Sequence, residues 1–173
     1  TVVIYFGCYI FWIIGYLYNA AMDKRHCYRF LMADWLAKAV CFICYVVYPT
    51  TNTRPEIVGS DIWAQLMRFL YSMDAADNLF PSIHCLVSWL CYIGIRGNKK
   101  VPQWIRTTFC ICAIAVFIST LTTKQHVIYD VVAGVALVEV TYRVSKLIVK
   151  RQLKRENRIQ KKHNMYKKYK EYN

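Results

Sequence analysis

From Arg143 to its end this chain is short of negative charge. Twelve lysines and arginines there face only Glu156 and Glu171, so ten of the net +13 charges lie in that tail. The remainder is correspondingly poor in charge and rich in apolar residues. The chain as a whole is 57% hydrophobic over 173 residues, a length that fits one domain. Mean hydropathy is nevertheless only +0.22, because apolar and charged residues are segregated rather than mixed. Cysteine is missing where a disulfide framework would need it. The eight cysteines (Cys8, Cys27, Cys41, Cys44, Cys85, Cys91, Cys110, Cys112) all fall in or beside apolar runs, and the stretches 50–80 and 121–126 have none. This excludes a disulfide-stapled scaffold. Cys41-x-x-Cys44 lacks the second pair of a zinc site, so these thiols read as small apolar packing residues. The first apolar run lacks a basic segment ahead of it and an A-x-A end, which excludes a cleaved signal peptide.

Five apolar runs are present, at 1–19, 30–48, 82–95, 104–121 and 127–148. A bilayer core of ~30 Å takes ~20 apolar residues as helix. Four runs are long enough, and the run from 82 suffices if counted from Pro81 to Arg96. The expected fold is an all-α polytopic membrane helix bundle with five visible spans. Residues 1–148 form the membrane-embedded domain and 149–173 a basic cytoplasmic tail. The loops alternate in charge. Lys24, Arg25 and Arg29 stand against Asp23, and 96–106 carries Arg96, Lys99, Lys100 and Arg106 with no acid. By contrast, 50–80 has Arg54 and Arg68 against Glu56, Asp61, Asp74 and Asp77, and 121–125 has Lys124 alone. The basic loops and tail are therefore expected in the cytoplasm, the other two outside, in a plasma membrane. The tail suits a solvated helix and an anionic lipid surface equally. Tethered to a bilayer, it is not read as binding nucleic acid. Residues 60–74 place Ile62, Trp63, Leu66, Met67 and Leu70 at helical spacing, either as an amphipathic helix on the outer surface or as a cap on the bundle. Asp34 and Lys38 are spaced to pair on one helix face near the inner interface.

Three polar clusters fall at the outer ends of spans. Arg54-Pro55 offers a guanidinium, which grips phosphate in a bidentate manner. In Pro81-Ser82-Ile83-His84, proline suits the first helical position, and the N–H groups that follow lack intrahelical partners. With the helix dipole they make an anion seat, with the Ser82 N–H and hydroxyl as donors and His84 beside it. In 119–134, His126 and Asp130 stand four apart on one helix face. The carboxylate there accepts from imidazole Nδ1 and frees Nε2 as nucleophile or base. Each cluster alone is equally well a helix cap, a helix-end pair or a surface arginine. Together on one side they describe a phosphoryl-transfer site. A His-His-Asp metal site fits the ligand types, but no carboxylate cluster accompanies it, so no metal is expected.

These residues resemble the type 2 phosphatidic acid phosphatase superfamily, the lipid phosphate phosphatases. Its pattern is K-x(6)-R-P, then P-S-x-H, then S-R-x(5)-H-x(3)-D. Arg54-Pro55 matches the end of the first motif, Pro81-Ser82-Ile83-His84 the second, and Ser119, His126 and Asp130 the third. Val47 stands where the first motif has Lys, and Thr120 where the third has Arg, which removes two cations from the phosphate cradle. Lys124 is a candidate to replace one of them. The resemblance implies hydrolysis of a membrane lipid phosphate (phosphatidic acid, phosphatidylglycerol phosphate or a polyprenyl diphosphate) without metal or other cofactor, at the outer face. It implies that His126 forms a phosphohistidine, Asp130 orients it, and His84 serves as acid and then base. Arg54, Ser82, Ser119 and Lys124 would hold the phosphoryl oxygens. It also implies six spans, hence one more ahead of Thr1. Two other readings stay open: a lipid phosphotransferase of the sphingolipid-synthase type, and a non-catalytic relative that binds lipid headgroups.

Overall fold

A computed structural model describes residues 1–172, with the side chains of 157, 163 and 166–172 outside the description. Lys167, Lys168 and Lys170 of the basic tail therefore lie beyond the described side chains. Six α-helices follow one another: α1 (Val2–Ala20), α2 (Lys24–Val47), α3 (Ile62–Met73), α4 (Ile83–Arg96), α5 (Gln103–Thr122) and α6 (Ile128–Tyr172). No strand occurs among the described residues. The protein is an all-α membrane-type bundle.

Among the described residues, α1, α2 and α5 alone are both long and apolar enough to cross a bilayer by themselves. The other two expected spans differ for identifiable reasons. Helix α4 has 14 residues, about 21 Å of rise, against a core of ~30 Å. It is nonetheless the most enclosed helix, with Cys85, Leu86, Val87, Leu90, Cys91, Ile93 and Ile95 all buried. Helix α6 carries Asp130, Glu139 and Arg143 in its apolar half, and these charges have partners. Arg96 grips Glu139 with both terminal nitrogens at 2.6 and 3.1 Å, and Trp89 Nε1 donates to the same carboxylate at 3.0 Å. The helix then continues unbroken through residue 148, where the sequence places its domain boundary.

Helix α4 is the axis of the bundle, packed against α1, α2, α5 and α6. Two glycines permit its close approaches. A Cβ on Gly15 of α1 would collide with Cys91 Sγ, and one on Gly134 of α6 would lie 2.7 Å from the Ser82 carbonyl oxygen. Polar groups cross the same seams: Trp12 Nε1 donates to Ser88 Oγ at 2.8 Å, and Asn19 Nδ2 to the Cys91 carbonyl at 3.2 Å. All eight cysteines are free thiols, four of them buried.

Helix α3 packs one face on α1 and leaves the other exposed. Leu70 is buried with Val2 and Tyr5 of α1, and Leu66 and Met67 pack on that cluster, while Ile62 and Trp63 remain exposed. Asp61 caps its start by accepting from the Trp63 N–H. The Asp34–Lys38 pair forms at 2.8 Å, and Asp34 also accepts from the Tyr16 hydroxyl at 2.7 Å. Both residues lie in the middle of α2, away from either end. Asp34 is about 15 Å along the helix from Lys24. A carboxylate at that depth needs both partners, because an unpaired charge is costly in an apolar surround.

Candidate active site

Helices α4 and α6 start next to each other at one end of the bundle. The Ser82 N–H donates to the Asp130 carbonyl at 3.1 Å, and the Tyr45 hydroxyl donates to the Pro81 carbonyl at 2.7 Å. Ser82 is the N-cap of α4, its Oγ accepting from the Cys85 N–H at 3.3 Å. The Ser82 N–H thus joins the two helix starts, its Oγ caps its own helix, and the side chain is fully buried.

His126 and Asp130 meet, but not on one helix face. Helix α6 begins at Ile128, so His126 belongs to the turn before it. Asp130 reaches back from the first helical turn. Its Oδ2 accepts the Val127 N–H at 3.0 Å and lies 3.3 Å from His126 Nδ1. One carboxylate thus satisfies an orphan N–H at the helix start and fixes the imidazole, with Nε2 left free. Both side chains are buried. The turn that delivers His126 is a Schellman-type end to α5. The Gln125 N–H donates to the Thr120 carbonyl at 3.0 Å and the Lys124 N–H to Leu121 at 3.2 Å. Lys124 takes the left-handed position (φ 56°) that glycine ordinarily fills.

Arg54 arrives from the long loop between α2 and α3. That loop is pinned by an Asn52 N–H to Ala76 bond at 3.2 Å and by Asn52 Nδ2 on the Lys124 carbonyl at 3.3 Å. The guanidinium lies over the Tyr71 ring, 4.7 Å from its centre. It donates through Nη1 to the Asp74 carbonyl and through Nη2 to Gln125 Oε1. Burial raises the Tyr71 phenol above its usual value and Arg54 opposes this, and the hydroxyl donates to the Thr123 carbonyl at 3.1 Å. Arg54 Nε and Gln125 Nε2 are buried donors with no acceptor among the described residues. Such donors are costly unless something accepts from them, and an oxyanion does so. Arg54 borders a cleft of about 820 Å3 that Lys124, His126, Leu121 and Ile128 also line, and Gln125 is buried behind it.

His84 lies behind His126, the ring centres 5.8 Å apart. Its other neighbours come from α1: the rings of Tyr5, Tyr9 and Trp12 lie 4.8, 6.5 and 5.4 Å away. The Tyr5 hydroxyl donates its single proton to Asp74 Oδ2. His84 Nε2 lies 2.8 Å from the Tyr5 hydroxyl oxygen, within hydrogen-bond reach. Each imidazole is thus backed by a carboxylate, His126 directly and His84 through a tyrosine.

Ser119 is not brought into the cleft. It is fully buried, and its hydroxyl donates to the Val116 carbonyl at 2.8 Å. Thr120 is likewise enclosed, bonded to the Phe117 carbonyl at 2.8 Å and touching Cys85 Sγ. Val47 ends α2 and is exposed. The cations at the cleft are Arg54 and Lys124. Tyr5, Asp74, Tyr71 and Gln125 were not read as site residues from the sequence. Only Gln125, next to His126, had a local signal. Among the described residues, no group of three or more His, Cys, Asp or Glu side chains is placed to hold a metal.

A family profile described as the PAP2 superfamily matches residues 2–144. No curated protein and no solved structure matches.

Proposed function

The chain belongs to the PAP2 superfamily, whose members are in general phosphatases, and we propose that it hydrolyses a lipid phosphate through a phosphohistidine. The observation that carries this reading is the His126–Asp130 pair at 3.3 Å, beside a cleft with two cations and two unpartnered buried donors. His126 Nε2 attacks the terminal phosphorus, forming an N–P bond as the P–O bond to the rest of the lipid breaks, the leaving oxygen being that of an alcohol, or of a phosphate where the substrate is a diphosphate. Asp130 stabilises the imidazolium that develops. Arg54, Gln125 and Lys124 take the charge on the phosphoryl oxygens. Protonated His84 gives its proton to the departing oxygen. Neutral His84 then removes one from water, which attacks phosphorus and releases His126. Asp74 and Tyr5 position His84. The apolar helices suit membrane insertion, and the substrate's acyl chains would remain in the lipid beside Leu121 and Ile128. The substrate class is phosphatidic acid, phosphatidylglycerol phosphate or a polyprenyl diphosphate, reached from the outer leaflet of the plasma membrane.

The test is phosphate release by the purified chain in detergent, with each of the three lipids, beside His126→Ala. Release abolished by His126→Ala, with acid-labile phosphate trapped on the wild type, supports the reading. Transfer of the phosphoryl or headgroup to an added lipid alcohol, with no free phosphate, replaces hydrolysis by transfer. Neither product from any of the three lipids overturns the reading.

A further inference from the structure

A second cavity lies at the other end of the bundle, about 20 Å from His84 along α4, where Arg96 ends that helix. It has a volume of about 600 Å3 between α2, α6 and the α4–α5 turn. Six cations line it: Arg25 and Arg29 from α2, Arg96 and Lys99 from the end of α4 and its turn, Arg143 and Lys146 from α6. Only Asp23 and Glu139 oppose them, and both have work already. Asp23 caps α2 by accepting the His26 N–H at 3.0 Å, and Glu139 is held by Arg96 with Arg143 at 3.8 Å. The wall therefore keeps a marked positive excess that no acid among the described residues neutralises. Arg29 adds an independent sign of a missing partner: its Nε is buried and has no acceptor among the described residues. The floor is rigid. Asn19 Nδ2 and Oδ1 bond Gly15 and His26, and a Cβ on Gly94 would collide with Asn19 Oδ1, so α1, α2 and α4 are locked together beneath the cations.

We propose that this cavity binds a phosphate-bearing anion, namely the phosphorylated headgroup of an anionic membrane lipid, as a site separate from the cleft at His126. Guanidinium forks with ammonium point charges are the donor set that recognises a phosphoryl group. The room exceeds what a bare phosphate fills, which leaves space for the headgroup that carries it. Basic pockets between membrane helices take such headgroups, each nearby cation contributing about 1 kcal/mol, or about 5-fold in affinity. The proposal stands independently of the catalytic reading, because it shares no residue with it.

The experiment uses the purified full chain and vesicles of phosphatidylcholine with or without phosphatidylinositol monophosphate. Bound lipid is counted by native mass spectrometry after extraction. Arg29→Gln with Lys146→Gln is expected to weaken binding by about 30-fold, and Arg54→Gln to leave this binding unchanged. Arg29→Lys should retain most of it. Lys99→Gln with Lys146→Gln, both exposed, serves if the first pair does not fold. A second arm titrates inorganic phosphate into detergent-solubilised chain by calorimetry. Heat that depends on Arg29 and displaces the lipid keeps the phosphate site but makes a small phosphate compound its source. Lipid binding equal in wild type and the Arg29/Lys146 variant, with no Arg29-dependent phosphate heat, overturns the proposal. So does binding lost only in Arg54→Gln.

Discussion

Replacing Gly134 by alanine tests whether the seam between α4 and α6 sets the catalytic geometry. Inside an exposed helix this change would stabilise by about 0.5–1 kcal/mol, since glycine gives up more backbone freedom on folding. Here the new Cβ meets the Ser82 carbonyl oxygen at 2.7 Å, a backbone atom that no rotamer change can move. Ordinary carbon–oxygen contacts start near 3.3 Å, so the helices must part by roughly 0.6 Å. Overpacking of this kind costs about 1–3 kcal/mol, which outweighs the propensity gain and leaves the variant about 1 kcal/mol less stable. The functional cost is larger. Asp130 lies one turn before Gly134, and its carbonyl accepts the Ser82 N–H, so the parting moves His126 relative to His84. Displacements approaching 1 Å at a reacting pair cost up to about 10²-fold, and a loss of between 10-fold and 10²-fold in phosphate release is expected. Gly7→Ala is the control: nothing lies within 4 Å of its Cβ, so it should melt slightly higher with turnover unchanged. The assay is phosphate release from phosphatidic acid alongside thermal melting in the same detergent. A Gly134→Ala protein that melts at or above the wild type and turns over normally would refute the reasoning.

Other expectations follow from the same geometry. Arg54→Lys keeps the charge but loses the fork between Asp74 and Gln125 and the stack on Tyr71; kcat/KM should fall by about 10²-fold, and a fall of under 3-fold would contradict a bidentate role. Lys124→Gly and Lys124→Ala separate charge from backbone. Glycine relieves the left-handed residue and should raise stability by about 1 kcal/mol, while both variants lose activity if the ammonium serves phosphate. Equal activity in all three proteins would remove Lys124 from the site. Asp74→Asn should lower kcat with little change in KM, because Asp74 acts through Tyr5 on His84 and not on the substrate. A change confined to KM would count against that arrangement. Arg96→Gln should destabilise more than Arg143→Gln, since Arg96 holds Glu139 at 2.6 Å and Arg143 only at 3.8 Å.

The sequence alone determined the helical membrane character, because apolar runs and charge segregation are local properties that survive without a fold. It also determined the family, since fixed spacings carry motifs. It misplaced the start of α6. Periodicity placed His126 on the helix face, whereas Asp130 reaches back to cap a helix that begins two residues later. Ser82 and Ser119 carried the right letters, but whether a hydroxyl faces a cleft or its own helix depends on which neighbour covers it, and both are covered here. Only the tertiary structure decided the rest. Tyr5 reaches His84 across 79 residues, Arg54 reaches Gln125 across 71, and Arg29 joins Lys146 around a cavity. Contacts at such separations leave no periodic or local trace, because they depend on how the helices pack around α4.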